Sequence, residues 1–421
     1  MDTRRHEAGF KDRTRVAAAR ETILEAVTPH GRTEAVPIRE ADGRVIAESI
    51  RARNPVPGYD RAAMDGYAVR ARDTFGASDR SPVVLDRTSG AVGPNEAVRV
   101  HTGSDLPEGA DAVVMIEQVE TVADGDEIEA FDAVAEGDNV GAAGEDVAEG
   151  QHLYDPGHRL RPSDLGLLKS VGLRTVQVTE RPDVAVIPTG EELVSEDPSP
   201  GEVIETNGLT VSRLAERWGG NARYRDIVTD DETLLREAIE AEIDDGADLV
   251  VTTGGSSVGE RDLLPEVLSS IGEILVHGVA LKPGHPVCLG VVDDTPVVCL
   301  PGYPVACIVN AVQFLRPALK RTGGAEIEPH PTQRAGLSRK VASEPGTRTF
   351  ARVRLKETHE EASENADGSG SAPFEAIPTR ASGSGVLSSV ALADGWVVVP
   401  EAIEGLEAGT IVDVEIWEES Q

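Results

Sequence analysis

At 421 residues the chain is longer than one ordinary core can hold, and a working figure of about 150 residues per domain predicts roughly three domains. Its formal net charge of −34, from 74 acidic residues against 40 Lys plus Arg, is spread along the whole length. This excludes nucleic acid and anionic membranes as partners, since both need a basic footprint, and predicts a halophilic surface in which strong salt screens self-repulsion, the screening length falling to about 3 Å near 1 M. The three cysteines, Cys288, Cys299 and Cys307, include no C-x-x-C pair and predict small buried residues in a reducing cytoplasm. No apolar run reaches the roughly 18 residues of a membrane span, and the polar start MDTRRHEAGFKDR has no hydrophobic segment behind it, which predicts a soluble, unanchored protein.

Residues 13–27 place Val16, Ile23 and Val27 close to one face, predicting a first amphipathic helix. Short elements follow at 36–38 and 44–50, then Asn54-Pro55-Val56-Pro57-Gly58 as extended punctuation. The next stretch, YDRAAMDGYAV from Tyr59, sets two carboxylates and two tyrosines beside small residues and reads as a loop leading into a strand. From 82 to 136, valine-rich runs alternate with Gly, Pro and Asp turns, the pattern of a small β domain inserted into the first. His101-Thr102-Gly103-Ser104 reads there as a capped corner. Gly141 to Asp146 again puts glycine beside acid, and 162–171 reads as a short helix.

From residue 182, strands alternate with helices: DVAVIP, a helix at 209–218, RYRDIV, a helix at 233–243, DLVVTT, a helix at 263–271, then strands to Leu300. Val211, Leu214, Ala215 and Trp218 fall at i, i+3, i+4 and i+7, one buried face. The alternation predicts an α/β fold with a central, mostly parallel sheet covered by helices on both faces. Ligands of such sheets bind at the carboxyl ends of the strands. There the loops carry Thr189-Gly190-Glu191-Glu192, Asp230-Asp231 and the segment GGSSVGERD, which holds Gly254, Gly255, Ser256, Ser257, Gly259, Glu260 and Asp262. A glycine-rich loop between a strand and a helix N-terminus offers backbone N–H groups to an anion. Its acids would repel that anion unless a divalent cation stood between them. The segment is neither Gly-x-Gly-x-x-Gly nor a lysine-bearing P-loop, and the three strand ends together predict a metal-assisted phosphate site. Lys282-Pro283-Gly284-His285-Pro286 reads either as a solvated turn or as a ligand contact. Leu300-Pro301-Gly302-Tyr303-Pro304 starts a helix with Val305, Ile308, Val309, Val312 and Leu315 on its inner side. Residues 334–355, 375–378 and 396–416 read as strands of a last small β domain, with the acidic, Gly/Ser-rich 357–373 a disordered loop.

In order along the chain, PGYDRAAMDGYAVR (57–70), HTGSDLPEGADAVVM (101–115), GED (144–146), PTGEEL (188–193), TGGSSVGERD (253–262), LKPGHP (281–286) and PGYPV (301–305) resemble the molybdopterin molybdotransferase family, the MoeA type that includes the E domain of gephyrin. The resemblance implies four domains: an elongated first domain from 1–53 plus 145–180, an inserted β domain at 54–144, a molybdopterin-binding α/β domain at 181–325 and a C-terminal β barrel at 326–421. It implies a homodimer whose crevice combines the α/β domain of one subunit with the inserted domain of the other, and a molybdopterin adenylyltransferase as a candidate partner. The activity implied is transfer of molybdate to adenylated molybdopterin with release of AMP, in a Mg²⁺-dependent step. Carried over by position, Asp60, Asp146, Glu192, Asp230 or Asp231, and Asp262 match acids on which activity depends, with Asp230, Asp231, Glu260 and Asp262 as the metal set. Thr102, the Gly254 to Gly259 loop, Lys282, His285 and Ser384 match substrate-binding positions, and Arg348, Arg352 and Ser382 fall in stretches resembling the oxyanion-contacting region. His285 stands where the family pattern has a second lysine, and Tyr303 where it has Asn. Tungstate in place of molybdate, adenylyl transfer from ATP and a non-catalytic scaffold are the competing readings.

Overall fold

The computed structural model describes residues 13–254, 263–358, 372–379 and 385–419. The chain divides into two compact units, Ala35–Val178 and a unit made of Met1–Glu34 with Thr179–Gln421. It opens with helix α1 (Val16–Ala26), which buries Val16, Ala19 and Ile23 as the spacing predicts.

Ala35–Val178 carries a six-stranded sheet of β1 (Gly66–Val69), β2 (Val83–Thr88), β3 (Glu96–Val100), β4 (Ala112–Met115), β5 (Val119–Val122) and β6 (Glu127–Ala130), in the order β4-β1-β3-β2-β6-β5. Only β2–β3 among its pairs is parallel. Alternation sends Tyr67, Val69, Leu85, Ala97, Ile128 and Ala130 into one apolar cluster, as a sheet with one buried face requires. A separate cluster joins Val36, Ile38, Ile46 and Ile50 to Leu160, Leu168, Val176 and Val178, so both ends of this segment share a core. Helix α2 (Pro162–Ser170) contributes to it.

The other unit holds the predicted α/β sheet. Its strands are β7 (Asp183–Pro188), β8 (Asn221–Tyr224), β9 (Leu249–Thr253), β10 (Glu273–His277), β11 (Cys288–Val292) and β12 (Thr295–Leu300), in the order β8-β7-β9-β12-β11-β10. The first four are parallel, and β11 and β10 add an antiparallel edge. β9 is buried at every residue, which is why its β-branched run is continuous. On one face α1, α3 (Asn207–Arg217) and α6 (Pro304–Asn310) pack Val16, Ile23, Val211, Leu214 and Ile308 against Val184, Val186 and Val251. On the other, α4 (Glu232–Asp244) and α5 (Leu263–Ile271) pack Leu235, Ile239 and Leu264 against Ala185, Ile187 and Val250. The strand expected as RYRDIV is displaced. It begins earlier, at Asn221, whose N–H bonds Pro182 O at 2.8 Å, and beyond Tyr224 it keeps only scattered backbone bonds to β7.

After the sheet, β13 (Thr332–Leu337), β14 (Arg348–Glu357), β15 (Phe374–Pro378), β16 (Gly395–Val399) and β17 (Ile411–Glu415) run in the order β14-β15-β13-β17-β16, and β16 pairs back onto β14. This closes a small barrel around Leu337, Val353, Ala376, Val397, Val399 and Val414. The expected loop at 357–373 falls for the most part outside the described residues. All three cysteines are buried and none is in a disulfide. No described helix is long and apolar enough to cross a membrane.

Candidate functional site

β8 lies on one side of β7 and β9 on the other, so the connections leaving β7 and β9 diverge and open a crevice at their carboxyl ends. Two of the three predicted acidic strand ends meet there. Gly190 N–H bonds Val228 O at 3.2 Å, and Thr189 bridges Val228 in parallel. This brings the Glu191-Glu192 turn to Asp230. Burial, then Glu192 and Glu191, raises the Asp230 pKa, against a hydrogen bond from the Glu191 backbone N–H. Its Oδ1 is buried and has no hydrogen-bond partner among the described residues, and the same holds for the Thr189, Thr252 and Thr253 hydroxyls at the ends of β7 and β9. These buried polar atoms without partners at the ends of β7 and β9, with Thr252 and Thr253 on opposite faces of the sheet, are costly unless something polar meets them. Asp231 is placed differently: its carboxylate accepts from Thr233 N and Leu234 N at 2.9 and 3.0 Å, capping α4. Of the pair left open by the sequence, Asp230 therefore faces the crevice chemistry and Asp231 starts a helix.

Gly254 fixes the end of β9. Its φ is +133°, and a Cβ there would lie 2.0 Å from Thr189 O, so no other residue fits without moving the backbone. Its N–H bonds Leu300 O at 3.1 Å. Nearby, Glu205 is buried; it accepts from Gly208 N at 2.7 Å and from the Tyr224 hydroxyl. Gly255, Ser256, Ser257, Gly259, Glu260 and Asp262 lie outside the described residues, as do Ser382 and Ser384.

A second concavity in the same unit, a cavity of about 860 Å³, has the opposite character. It is lined by Lys282-Pro283-Gly284-His285 on one side and by Arg339, Lys340, Thr349 and Arg352 of the barrel region on another. Leu281–Lys282 pairs in parallel with the start of β14, Lys282 opposite Thr349, so the lysine loop is built onto the barrel wall. Gly284 is held from behind by Asn310 of α6, whose Nδ2 donates to Gly284 O at 2.9 Å. Lys282 Nζ bonds Glu344 Oε1 at 3.0 Å. Burial, then Arg13, holds the His285 pKa below its ordinary value, so this imidazole is neutral at pH 7. Arg348 is turned away to Glu401 at 3.1 Å, while Arg352 lines the cavity. Tyr303 is exposed and sits beside Gly385.

The remaining predicted residues lie in Ala35–Val178, where three separated motifs are folded together. Asp60 Oδ1 accepts from Ala143 N at 2.7 Å, Gly144 N bonds Pro57 O at 2.8 Å, and Asp146 N bonds Val56 O at 3.0 Å. Thr102 donates from N and Oγ1 to Asp65 Oδ1 at 2.7 and 3.0 Å, which holds the Asp65 carboxyl below the usual range. Ser104 Oγ bonds His101 O at 2.6 Å, the capped corner the sequence suggests. Arg61 pairs with Glu145 at 2.7 Å. Sequence reasoning missed Asn310, Arg13, Arg339, Lys340 and Glu344. Asn310 had a signal, a lone amide in the apolar run VACIVNAVQFL; the others are ordinary surface residues until the barrel closes.

Among the described residues no group of three His, Cys, Asp or Glu is placed to hold a metal by itself. Mg²⁺ needs less, since it binds through one or two carboxylates and completes its shell with water and substrate phosphates. Asp230 with its unpartnered oxygen beside Glu191 and Glu192 fits that requirement.

Three family descriptions match in sequence along the chain: MoeA N-terminal region (domain I and II) over residues 14–172, probable molybdopterin binding domain over 185–321, and MoeA C-terminal region (domain IV) over 334–417. A protein of Methanocaldococcus jannaschii named for molybdopterin biosynthesis is 35% identical over 405 residues, 94% of each chain. The molybdopterin molybdenumtransferase of Bacillus subtilis is 33% identical over 401 residues, 91% of this chain and 90% of that one. A crystal structure of a molybdopterin biosynthesis MoeA protein from Pyrococcus horikoshii superposes with a TM-score of 0.82 at 34% identity, covering 96% of this chain and 99% of that one. With all three regions present, in order and at these identities over nearly the full length, the chain belongs to the MoeA family.

Proposed function

We propose that this chain is a molybdopterin molybdotransferase: it joins molybdate to the dithiolene of adenylated molybdopterin and releases AMP, a step of molybdenum cofactor biosynthesis. The observation that carries the reading is the pairing, within one unit, of an acidic strand-end crevice with a basic cavity, in a chain whose net charge is −34. A phosphoanhydride bridged by a cation suits the first, and a tetrahedral dianion suits the second. The names carried by the Bacillus subtilis and Staphylococcus aureus relatives support it.

In this reading Asp230, with Glu192, would hold Mg²⁺, which would supply neutralisation of the phosphate charge for cleavage of the anhydride. The Thr189 hydroxyl donates to a phosphate oxygen, and burial strengthens that bond. Glu260, Asp262 and the glycines and serines of 255–259 belong to the same seat. Lys282 and Arg352 bind the oxyanion, His285 donates a neutral hydrogen bond to it, and Ser384 adds a hydroxyl. Asp60, Thr102 and Asp146 form a further set required for activity, and the working assembly is a homodimer supplied by a molybdopterin adenylyltransferase. The acidic surface suits function in strong salt.

The test is incubation with adenylated molybdopterin and Mg²⁺. AMP should appear only when molybdate or tungstate is added, and the two oxyanions run side by side settle which is used. Release that ignores both contradicts the proposal.

A further inference from the structure

The basic cavity contains a cation that neither the motifs nor the family positions single out. Five of its lining residues are Arg or Lys (Arg13, Lys282, Arg339, Lys340 and Arg352) against one carboxylate, Glu344, in a chain with nearly twice as many acids as bases. Most of these cations are already engaged. Lys340 pairs with Glu407, Arg339 donates to Pro378 O, and Lys282 pairs with Glu344. Arg13 has no carboxylate partner among the described residues.

Arg13 is nevertheless held in position by its neighbours. Thr14 N bonds Gly278 O at 3.1 Å, Ala280 N bonds Thr14 O at 2.8 Å, and Thr14 bridges Val279 in parallel. On the far side of the same segment, Arg348 N bonds Ala280 O at 2.9 Å, and Leu281 and Lys282 pair with Arg348 and Thr349. Residues 13–14, 278–282 and 348–349 thus form one short three-stranded ladder, and it delivers Arg13 and Lys282 to the same cavity wall. Immediately after Arg13, α1 is anchored in the core by Val16, Ala19 and Ile23. The Glu344 carboxylate feels both cations: Lys282 first, then Arg13, holds it below the usual carboxylate range.

We propose that Arg13 is a third fixed cation of the oxyanion site, acting with Lys282 and Arg352 where His285 stands in place of a lysine, and that Glu344 is an internal counter-ion which the incoming oxyanion displaces. This rests on the reading of the cavity as an oxyanion site. A guanidinium presents planar paired donors to a tetrahedral oxyanion and keeps its charge at all working pH. A neutral imidazole beside it adds a donor without adding charge. Glu344 is largely exposed, so its hold on Lys282 is weak. It therefore does not outcompete a dianion for Lys282.

The experiment uses the full chain and molybdate alone as probe, by equilibrium dialysis at moderate salt, with AMP as a parallel probe. Arg13→Ala should weaken molybdate binding about tenfold, Arg13→Lys should restore most of it, and Glu344→Gln should tighten it by about two- to threefold. In AMP-release kinetics Arg13→Ala should raise KM for molybdate and leave kcat near the parent value, a split that a loss of folding does not produce. Unchanged molybdate affinity in a folded Arg13→Ala protein overturns the inference, and so does an effect confined to AMP. If the unsubstituted protein binds no molybdate and its AMP release is independent of oxyanion, the functional reading itself fails. Oxyanion-dependent release with Arg13 silent removes only this inference.

Discussion

The strand-end crevice and the barrel-side cavity differ in charge, in how the chain assembles them and in what they ask of a ligand. The crevice is acidic and its groups come from consecutive loops of one sheet, so the fold topology alone brings them together. The cavity is basic, and its walls come from four separated stretches around Arg13, Lys282, Arg339 to Arg352, and Thr379. One therefore demands a cation before it accepts a phosphate, whereas the other takes a dianion directly. In the proposed reading this contrast in charge implies a division of labour, with bond cleavage at the first and oxyanion capture at the second.

The largest effect should come from the crevice. Asp230→Asn is expected to lower AMP release by about 10²–10³-fold while the protein remains folded, read by single-turnover assay and circular dichroism. Asp231→Ala is the contrasting substitution. It removes the α4 cap, costs about 1 kcal/mol of stability, and should leave release within about tenfold of the parent, in line with a positioning role alone. Equal catalytic losses for the two would erase the distinction drawn between them. Gly254→Ala should destabilise by ~1–3 kcal/mol or more, since its positive φ and the Thr189 carbonyl leave no room for a methyl group. A thermal midpoint unchanged by that substitution would mean that the end of β9 is not the fixed edge described.

On the basic side the expected effects are smaller and concern binding. Lys282→Ala should raise the half-saturating molybdate concentration by about tenfold with little change in maximal release.

The smallest effect concerns pH. His30, His285 and His330 are each held below their ordinary pKa, first by burial, His330 at about 4. Such a histidine binds fewer protons folded than unfolded, so its contribution to stability is complete above about pH 6.5 and is lost as pH falls toward 4. Asp230, whose pKa is raised, acts in the opposite direction at the acid end. Urea midpoints at pH 7.5, 6 and 5 should therefore decline in that order, and a rise toward pH 5 would contradict the burial assigned to these imidazoles.

The two regions also differ in how legible they are in the sequence. Strand–helix alternation with buried β-branched runs announces the sheet, and sheet topology announces where ligands go, so Glu192 and Asp230 could be read as one site from residue order alone. Residue order could not separate Asp230 from Asp231, because capping depends on where α4 starts and on which carboxylate turns back to it. The barrel-side cavity is visible in the sequence only through its Lys282 loop and through Arg352. Arg13, Arg339, Lys340 and Glu344 belong to no motif and acquire meaning only when β14 pairs with Leu281–Lys282, a contact between residues far apart in the chain. The strand read over RYRDIV lies a few residues earlier, at Asn221–Tyr224, because beyond Tyr224 only scattered backbone bonds to β7 remain.

AMP release titrated with molybdate, in the parent protein, Asp230→Asn and Lys282→Ala, tests the division of labour most directly. The account predicts release that depends on molybdate, a collapsed plateau with little change in half-saturation for Asp230→Asn, and a shifted half-saturation with a preserved plateau for Lys282→Ala. If both substitutions move the same parameter, or if the parent releases AMP at full rate with no oxyanion present, the two regions do not divide the reaction in this way.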